Sequence, residues 1–326
     1  MSSVLRSAIT GVGGYLPERA VSNAELAKTV DTSDEWITER TGIRSRCYAA
    51  DGEATSDLAV KAAERALAAA GRKASDVDLI IVATTTPDLT FPATAALVQA
   101  KIGAPVCPAF DVQAVCTGFV FALSVADGFV ARGLAQCALV IGADCMSRLL
   151  DWTDRGTCVL FGDGAGAVVL EPAAGAGDAS DRGMLSFALR TDGTKRQMLT
   201  ADGGVSTNGL VGKLRMQGNQ VFRHAVVNIA EAVEAAARSA GITIDEVDWF
   251  VPHQANQRIL NGVAHRLGLP ESKVVSTIAQ HANTSAASIP LALSEAVADG
   301  RVKPGQLLLL EAMGGGLTWG ACVVRI

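Results

Sequence analysis

Two kinds of apolar run alternate along the chain. Residues 77–85 (VDLIIVATT), 134–142, 247–251 and 307–311 are continuous and rich in Val, Ile and Leu. Such short runs without polar alternation predict strands covered on both faces. Between them the apolar spacing changes to that of a helix. In 56–71 the stripe is Leu58, Ala62, Ala66 and Leu67, and Gly71 ends it. Further helices are predicted over 93–102, 221–240, 256–267 and 289–299, and after Cys116, where Phe119, Leu123, Ala126 and Val130 recur at helical spacing. Shorter strands are expected at 7–12, 106–111 and near 184–191, and 158–166 joins a strand to 168–171. GVGG is expected to end the first in a tight turn, because Leu16 stands where a dinucleotide-binding fingerprint needs its third glycine. Asn23, Glu25 and Leu26 open a helix. Ser33 or Asp34 caps another, which carries Trp36 and Arg40 on one face. Strand–helix–strand alternation of this kind predicts an α/β protein built on mostly parallel sheet.

The pattern repeats. At a constant offset of 170, Ala70–Gly71 matches Ala240–Gly241, Val77–Asp78 matches Val247–Asp248, and Gln136, Leu139 and Val140 match Gln306, Leu309 and Leu310. Several matches at one offset imply two halves of like architecture. The small, polar stretch 172–182 (PAAGAGDASDR) reads as a flexible boundary, which divides the chain into 1–176 and 177–326.

Composition narrows the class. Of 326 residues 49% are apolar and 19% charged, which fits a globular chain. The net charge of −5 argues against a general nucleic-acid binder. No apolar run approaches the ~20 residues of a membrane span, and MSSVLRSAIT lacks the apolar core of a signal peptide. Seven cysteines, an odd count without a CxxC pair, argue against a disulfide framework and for a reducing, cytoplasmic setting. With no HxH or HExxH spacing either, no metal site is expected.

Three segments carry candidate chemistry besides the one at Cys116. Cys116 sits where an extended segment turns into a helix, and there unpaired N–H groups and the helix dipole favour a thiolate. His253 follows the strand 247–251 in VPHQANQRI, and strand C-terminal ends are where α/β sheets place their chemistry. Asn283 lies in HANTSAASIP, and Gly314, Gly315 and Gly316 follow the last apolar run. Taken singly, these are an inert thiol, a structural histidine, a turn asparagine and packing glycines. Taken as a set brought together where the halves meet, a thiol, an imidazole, an amide and close-approaching backbone N–H groups suit acyl transfer through a thioester.

TSDEWI, RTGIR, DRGT, FGDGAGA, HQAN and NTSAAS, together with matches running from GVGGYLP to GLTWGACVVRI, identify the chain as resembling the β-ketoacyl-(acyl carrier protein) synthase III family. This is the initiating condensing enzyme of type II fatty acid synthesis. The resemblance implies a thiolase-like fold, two duplicated halves in a five-layered αβαβα sandwich. It implies Cys116, His253 and Asn283 as the catalytic set. Cys116 would take an acyl group from acyl-CoA, most simply acetyl-CoA, and His253 and Asn283 would stabilise the enolate formed when malonyl-(acyl carrier protein) loses CO2. The N–H groups of Cys116 and Gly315 would hold the oxyanion. Thr32, Trp36, Arg40, Arg155, Gly218 and Asn256 would bind CoA, with the adenine between Trp36 and Arg155. Gln254, Ala255, Asn256, Gln257 and Arg258 would meet the acidic carrier protein, with Arg266 and Arg223 extending a basic patch. No cofactor is implied, CoA thioesters being substrates, and a cytoplasmic homodimer is expected.

Two positions depart from the family pattern. Ala282 stands where glycine is usual, and Met313 where phenylalanine is common. Met313 is expected to form the acyl pocket with Met146, Phe161, Leu214 and Met216, closed by Phe91 from a dimer partner, and to admit primers somewhat longer than acetyl. Two other functions share the sequence: a specialised condensing or acyl-transferring enzyme of secondary metabolism, and a binding subunit without catalysis.

Overall fold

The protein, seen as a computed structural model, is described over residues 4–326. Two sheets lie at its centre. The first has five strands in the order Val4–Tyr15, Asp163–Gly175, Ala138–Cys145, Leu79–Ala83 and Ala109–Val112. The second has four, in the order Trp249–Pro252, Leu307–Gly314, Thr318–Arg325 and Gly183–Thr191. Each sheet is mixed rather than mostly parallel, because one strand runs against its neighbours: Asp163–Gly175 in the first and Thr318–Arg325 in the second. Thr318–Arg325 returns from Leu307–Gly314 across only residues 315–317, too few for the crossover a parallel neighbour requires.

Strand alternation sorts the continuous apolar runs onto two buried faces. Leu79, Ile81 and Ala83 point inward with Val140, Leu308 and Leu310, against the helices Gly118–Ala131 and Ser288–Ala298. Ile80, Val82, Leu139 and Ile141 point outward, beneath Leu58, Ala62 and Ala66 of the helix Thr55–Ala70 and beside the helix Thr94–Ile102. On the far side Leu307, Leu309 and Val323 lie under the helices Gly218–Ala240 and Gln257–Leu267. Helix, sheet, helix, sheet and helix therefore stack in five layers. Each fully buried Leu or Ile contributes about 1.5–3 kcal/mol. Among the described residues no helix is long and apolar enough to cross a membrane.

The halves correspond at the atomic level. Asp78 N donates to Cys137 O at 3.1 Å, and Asp248 N donates to Leu307 O at 2.9 Å. The same aspartates accept from the facing strand, Cys137 N to Asp78 Oδ1 at 3.0 Å and Leu307 N to Asp248 Oδ2 at 2.8 Å. Both pairs are related by the offset of 170 seen in the sequence. Gly71 and Gly241 end their helices in the left-handed conformation, at φ 64° and 71°.

Several local expectations fail for physical reasons. GVGG does not end the first strand. The strand continues to Tyr15 because Gly11 and Gly13 lie directly under the backbone of the helix Thr55–Ala70, where a Cβ would overlap Ala66. The stretch 172–182 is not a flexible linker. Its first residues continue the strand Asp163–Gly175, and the Asp181 carboxylate ties down the rest by accepting from Ala176 N, Gly177 N and Arg6 Nε at 2.6, 2.8 and 3.0 Å. The strand expected at 106–111 is only Ala109–Val112, at the edge of its sheet.

Candidate active site

Cys116 lies in a single 3-10 turn, Val115–Thr117, between the edge strand and the central helix Gly118–Ala131. Its backbone is pressed against the end of Leu307–Gly314: a Cβ on Gly314 would sit 2.7 Å from Cys116 N. Glycine is therefore required there for the two halves to meet. Thr117 Oγ1 donates to Thr318 O at 3.0 Å across the same junction.

His253 leaves the end of Trp249–Pro252, and its N–H donates to Glu311 O of the neighbouring strand at 2.7 Å. Its Nδ1 is 2.5 Å from Ser288 Oγ, and Gln254 N donates to that same oxygen at 3.3 Å. Where the Ser288 hydroxyl gives its own proton to Nδ1, the imidazole is held as the Nε2–H tautomer, the form that can donate into the cavity.

Asn283 is fixed by its neighbours. Its N–H donates to Leu160 O and its carbonyl accepts from Gly162 N, both at 3.0 Å. Its side-chain Oδ1 accepts from Ser285 N at 2.9 Å, which leaves the amide NH2 as the free end. The preceding residue, Ala282, adopts φ 57° and ψ −160°, a conformation that favours glycine.

The three side chains, 4%, 4% and 6% exposed, line one cavity of about 350 Å³. Trp36 and Arg40 stand at its mouth with Gly218, Ala255, Asn256 and Arg258, and Phe161, Met216 and Met313 line it further in. Burial pushes the Cys116 thiol up to about 12, and the nearby Asp144 charge pushes the same way. Burial also pulls the His253 imidazole down to about 3. The resting pair is thus neutral thiol and neutral imidazole. The thiolate expected from the helix terminus is not the resting form, because desolvation of a fully enclosed sulfur outweighs the half-charge of the dipole.

Other expected residues fall less neatly. Arg40 lies 4.5 Å and Arg155 5.2 Å from the Trp36 ring centroid. Two van der Waals contacts of about 3.5 Å each would be needed to insert a base between Trp36 and Arg155. Arg155 therefore has to swing outward, away from Asp31 O, to which it donates at 2.9 Å. Thr32 is half-buried beside this pair in sequence, its Oγ1 without a partner. Gly315 sits against Leu199 O and Val115. Met146 and Leu214 are buried with Phe161 and Ala282 in one apolar cluster, behind the cavity wall rather than on it. Phe91 does not reach the cavity within this chain; it is 83% exposed.

Gln254 cannot meet a partner through its side chain. It is fully buried, donating to Pro252 O and Val275 O at 2.8 and 3.1 Å and accepting from Thr277 N at 2.8 Å. Gln257 donates to Asn261 Oδ1 at 2.7 Å on the same helix, and Arg258 to Glu39 O at 3.1 Å. Arg223, Arg258 and Arg266 are all exposed.

Two cavity features escaped the sequence reading. Ser288 is an ordinary serine until the fold sets it against His253. Glu311 lines the cavity, buried and with Oε2 unpartnered. Its signal in the sequence is a lone acid ending the apolar run LLLLE.

A five-layered sandwich of two like halves, with thiol, imidazole and amide around one cavity where they meet, defines a thiolase-like condensing enzyme. Residues 110–193 match the profile of 3-oxoacyl-[acyl-carrier-protein (ACP)] synthase III, and residues 237–326 match its C-terminal counterpart. The chain is 71% identical over 322 residues to the β-ketoacyl-[acyl-carrier-protein] synthase III of Caulobacter vibrioides, which covers 99% of this chain and 100% of that one. The crystal structure of 3-oxoacyl-[acyl-carrier-protein] synthase III from Aquifex aeolicus superposes with a TM-score of 0.92 at 46% identity, covering 98% and 100% of the two chains. The priming β-ketosynthase of the R1128 polyketide pathway superposes with a TM-score of 0.93 at 35% identity, covering 100% and 98%. The chain belongs to the β-ketoacyl-(acyl carrier protein) synthase III family. It is an acyltransferase that condenses an acyl primer with malonyl-(acyl carrier protein) to initiate fatty acid synthesis.

Proposed function

We propose that Cys116 is the nucleophile that carries the primer and that His253 and Asn283 drive the condensation. The supporting observation is the convergence of these three buried side chains on one cavity whose mouth bears Trp36 and Arg40. In the first half-reaction Cys116 Sγ attacks the thioester carbonyl of an acyl-CoA, acetyl-CoA in the simplest case. The N–H groups of Cys116 and Gly315 receive the oxyanion, each preorganised donor contributing about 3 kcal/mol. The thiol proton leaves on CoA. CoA is thus the carrier of a substrate and not a resident cofactor. Thr32, Trp36, Arg40, Arg155, Gly218 and Asn256 hold it, with Arg155 displaced by the adenine.

In the second half-reaction the malonyl thioester carbonyl accepts from His253 Nε2–H and Asn283 NH2. These donors stabilise the enolate as CO2 leaves, and the enolate carbon attacks the acyl-Cys116 carbonyl. Two neutral donors suit this step, with the Ser288 hydroxyl donating to Nδ1 so that Nε2 carries the proton directed at the carbonyl. Phe161, Met216 and Met313 enclose the acyl chain, with Met146 and Leu214 supporting them. Arg258 and Arg266, with Arg223, form the basic face that an acidic carrier protein meets, and Ala255, Asn256 and Gln257 border it.

The halves 1–176 and 177–326 are taken as two units of a duplication, supported by the paired aspartate contacts; residues 1–3 lie outside the described residues. A homodimer fits the exposed Leu89 and Phe91 and the edge strand Ala109–Val112, which pairs on one side only. A cytoplasmic setting fits seven unpaired cysteines. Initiation of fatty acid synthesis is favoured over a specialised pathway by 71% identity to a family synthase against 35% to the polyketide priming enzyme.

Intact mass after mixing with acetyl-CoA tests the reading. One acetyl adduct on wild type and none on Cys116→Ala is expected. An adduct that persists on Cys116→Ala, or none on wild type from any acyl-CoA, overturns the assignment. The native mass of the same sample reads the dimer.

A further inference from the structure

The condensation consumes a proton that the assigned residues do not supply. In the first half-reaction the Cys116 proton departs with CoA, so protons balance. In the second, the bond from Sγ to the acyl carbon breaks as the new carbon–carbon bond forms. The electron pair goes to Sγ, and CO2 carries no proton away. A thiolate is left in a cavity that burial makes hostile to it. His253 is neutral, and its one N–H is committed to the thioester carbonyl.

One further acid faces this cavity. Glu311 ends the run of Leu307–Leu310 and points to the same side of its strand as Leu309 and Met313, under the helix Gly218–Ala240. It is paired in register with Pro252, next to His253, and it lines the cavity together with Cys116 and His253. Its residue is 2% exposed, and Oε2 has no hydrogen-bond partner. A carboxylate with no donor directed at it is costly to bury, so a carboxyl kept here is kept with its proton. Hydrophobic residues precede it along the strand, and the fold would pack an apolar side chain in its place at less cost.

We propose that Glu311 is the proton donor of the condensation, restoring the Cys116 thiol as the acyl group leaves. The proton passes from the Glu311 carboxyl to Sγ through the cavity, and the resulting carboxylate regains a proton from solvent before the next turnover. Burial raises both the carboxyl and the thiol, so both rest with their protons, and a thiolate formed in this cavity draws the carboxyl proton. Burial is the only cause of the Glu311 shift. The titratable and charged groups bordering the cavity are Cys116 and His253 within it and Arg40 and Arg258 at its mouth. This proposal rests on the roles given above to Cys116 and His253.

Glu311→Gln tests it, because an amide keeps the shape and neutrality of the carboxyl but cannot release the proton. The two half-reactions are followed separately: acylation of Cys116 by acetyl-CoA through mass, and discharge of the preloaded acyl-enzyme by malonyl-(acyl carrier protein). Discharge is expected to fall about 100-fold more than acylation, within the range of general acid catalysis. In wild type, discharge should also decline as pH rises through about 8, where the donor form is lost, and Glu311→Gln should lack that limb. Equal loss in both half-reactions, no loss in either, or an alkaline limb that survives in Glu311→Gln would overturn the proposal. Failure of wild type to acylate would instead strike the Cys116 assignment.

Discussion

Replacing Ser288 with alanine separates holding His253 in place from holding it in the right protonation form. The hydroxyl is 2.5 Å from Nδ1 and accepts from Gln254 N at 3.3 Å, all within buried structure. A buried hydrogen bond of this kind contributes about 0.5–1.5 kcal/mol net. At the upper end its loss shifts the balance between imidazole tautomers about tenfold, since about 1.4 kcal/mol corresponds to a factor of ten. The tautomer that gains has its proton on Nδ1 and a lone pair on Nε2, facing the oxygen that needs a donor. With the two tautomers otherwise of similar energy, the donor fraction drops from about nine-tenths to about half, so condensation should fall about twofold. Acylation of Cys116 asks less of His253 and should fall less. Gln254 N–H and Nδ1 are left unpaired, so stability should also drop by about 1–3 kcal/mol. Single-turnover discharge of the acetyl-enzyme by malonyl-(acyl carrier protein), beside a urea titration, reads both effects. A destabilised variant whose discharge rate equals that of wild type would refute the tautomer argument and leave Ser288 a purely structural residue.

Two further substitutions test the scaffold. Ala282→Gly releases a residue at φ 57° and ψ −160°, where strain of about 1–3 kcal/mol is expected. Against this stand a buried methyl of about 0.8 kcal/mol and a glycine entropy cost of about 0.5–1 kcal/mol. The urea midpoint should thus hold or rise slightly, and a loss above about 1 kcal/mol would show that the strain is not there. Asp144→Ala removes an acceptor that takes Thr85 N at 2.8 Å and Ala286 N at 3.1 Å, besides hydroxyls of Thr84, Thr85 and Thr86. Two buried N–H groups left unpaired should cost about 3–5 kcal/mol. Unchanged denaturant stability would contradict this.

Element types were legible because the core demands them. A run such as LIIVA has only one use in a sheet covered on both faces, and the Ala/Leu stripe of 55–70 can bury only one side. Contacts between distant segments were less legible. GVGG looks like a turn until the helix lying across it explains why it has no side chains. Likewise 172–182 looks flexible until Asp181 is seen to gather its N–H groups. In the site, Cys116, His253 and Asn283 stand out because each follows a strand or turn in an unusual setting. Ser288 and Glu311 do not, since their roles depend on which atom they face. Nor could the charge state of Cys116 be read locally. The turn that favours a thiolate was visible, but the enclosure that opposes it comes from the other half of the chain.

The duplication explains why that enclosure exists. Val115–Thr117 and Ser285–Ala287 are the same 3-10 turn, 170 residues apart, and each opens one of the two central helices. Their first residues share a left-handed conformation, φ 51° at Val115 and 52° at Ser285. The two turns pack against each other where the halves meet. One copy uses the turn to present a thiol. The other places Ala286 at the equivalent position and uses the N–H of Ser285 to hold Asn283. A pair of identical turns would have put two thiols face to face. Divergence has instead made one turn the nucleophile and the other the support for the amide donor, and the contact between them excludes water from both. Burial at this seam is the physical reason that Cys116 rests as a thiol, that His253 rests neutral, and that a step leaving a thiolate behind requires an acid close at hand.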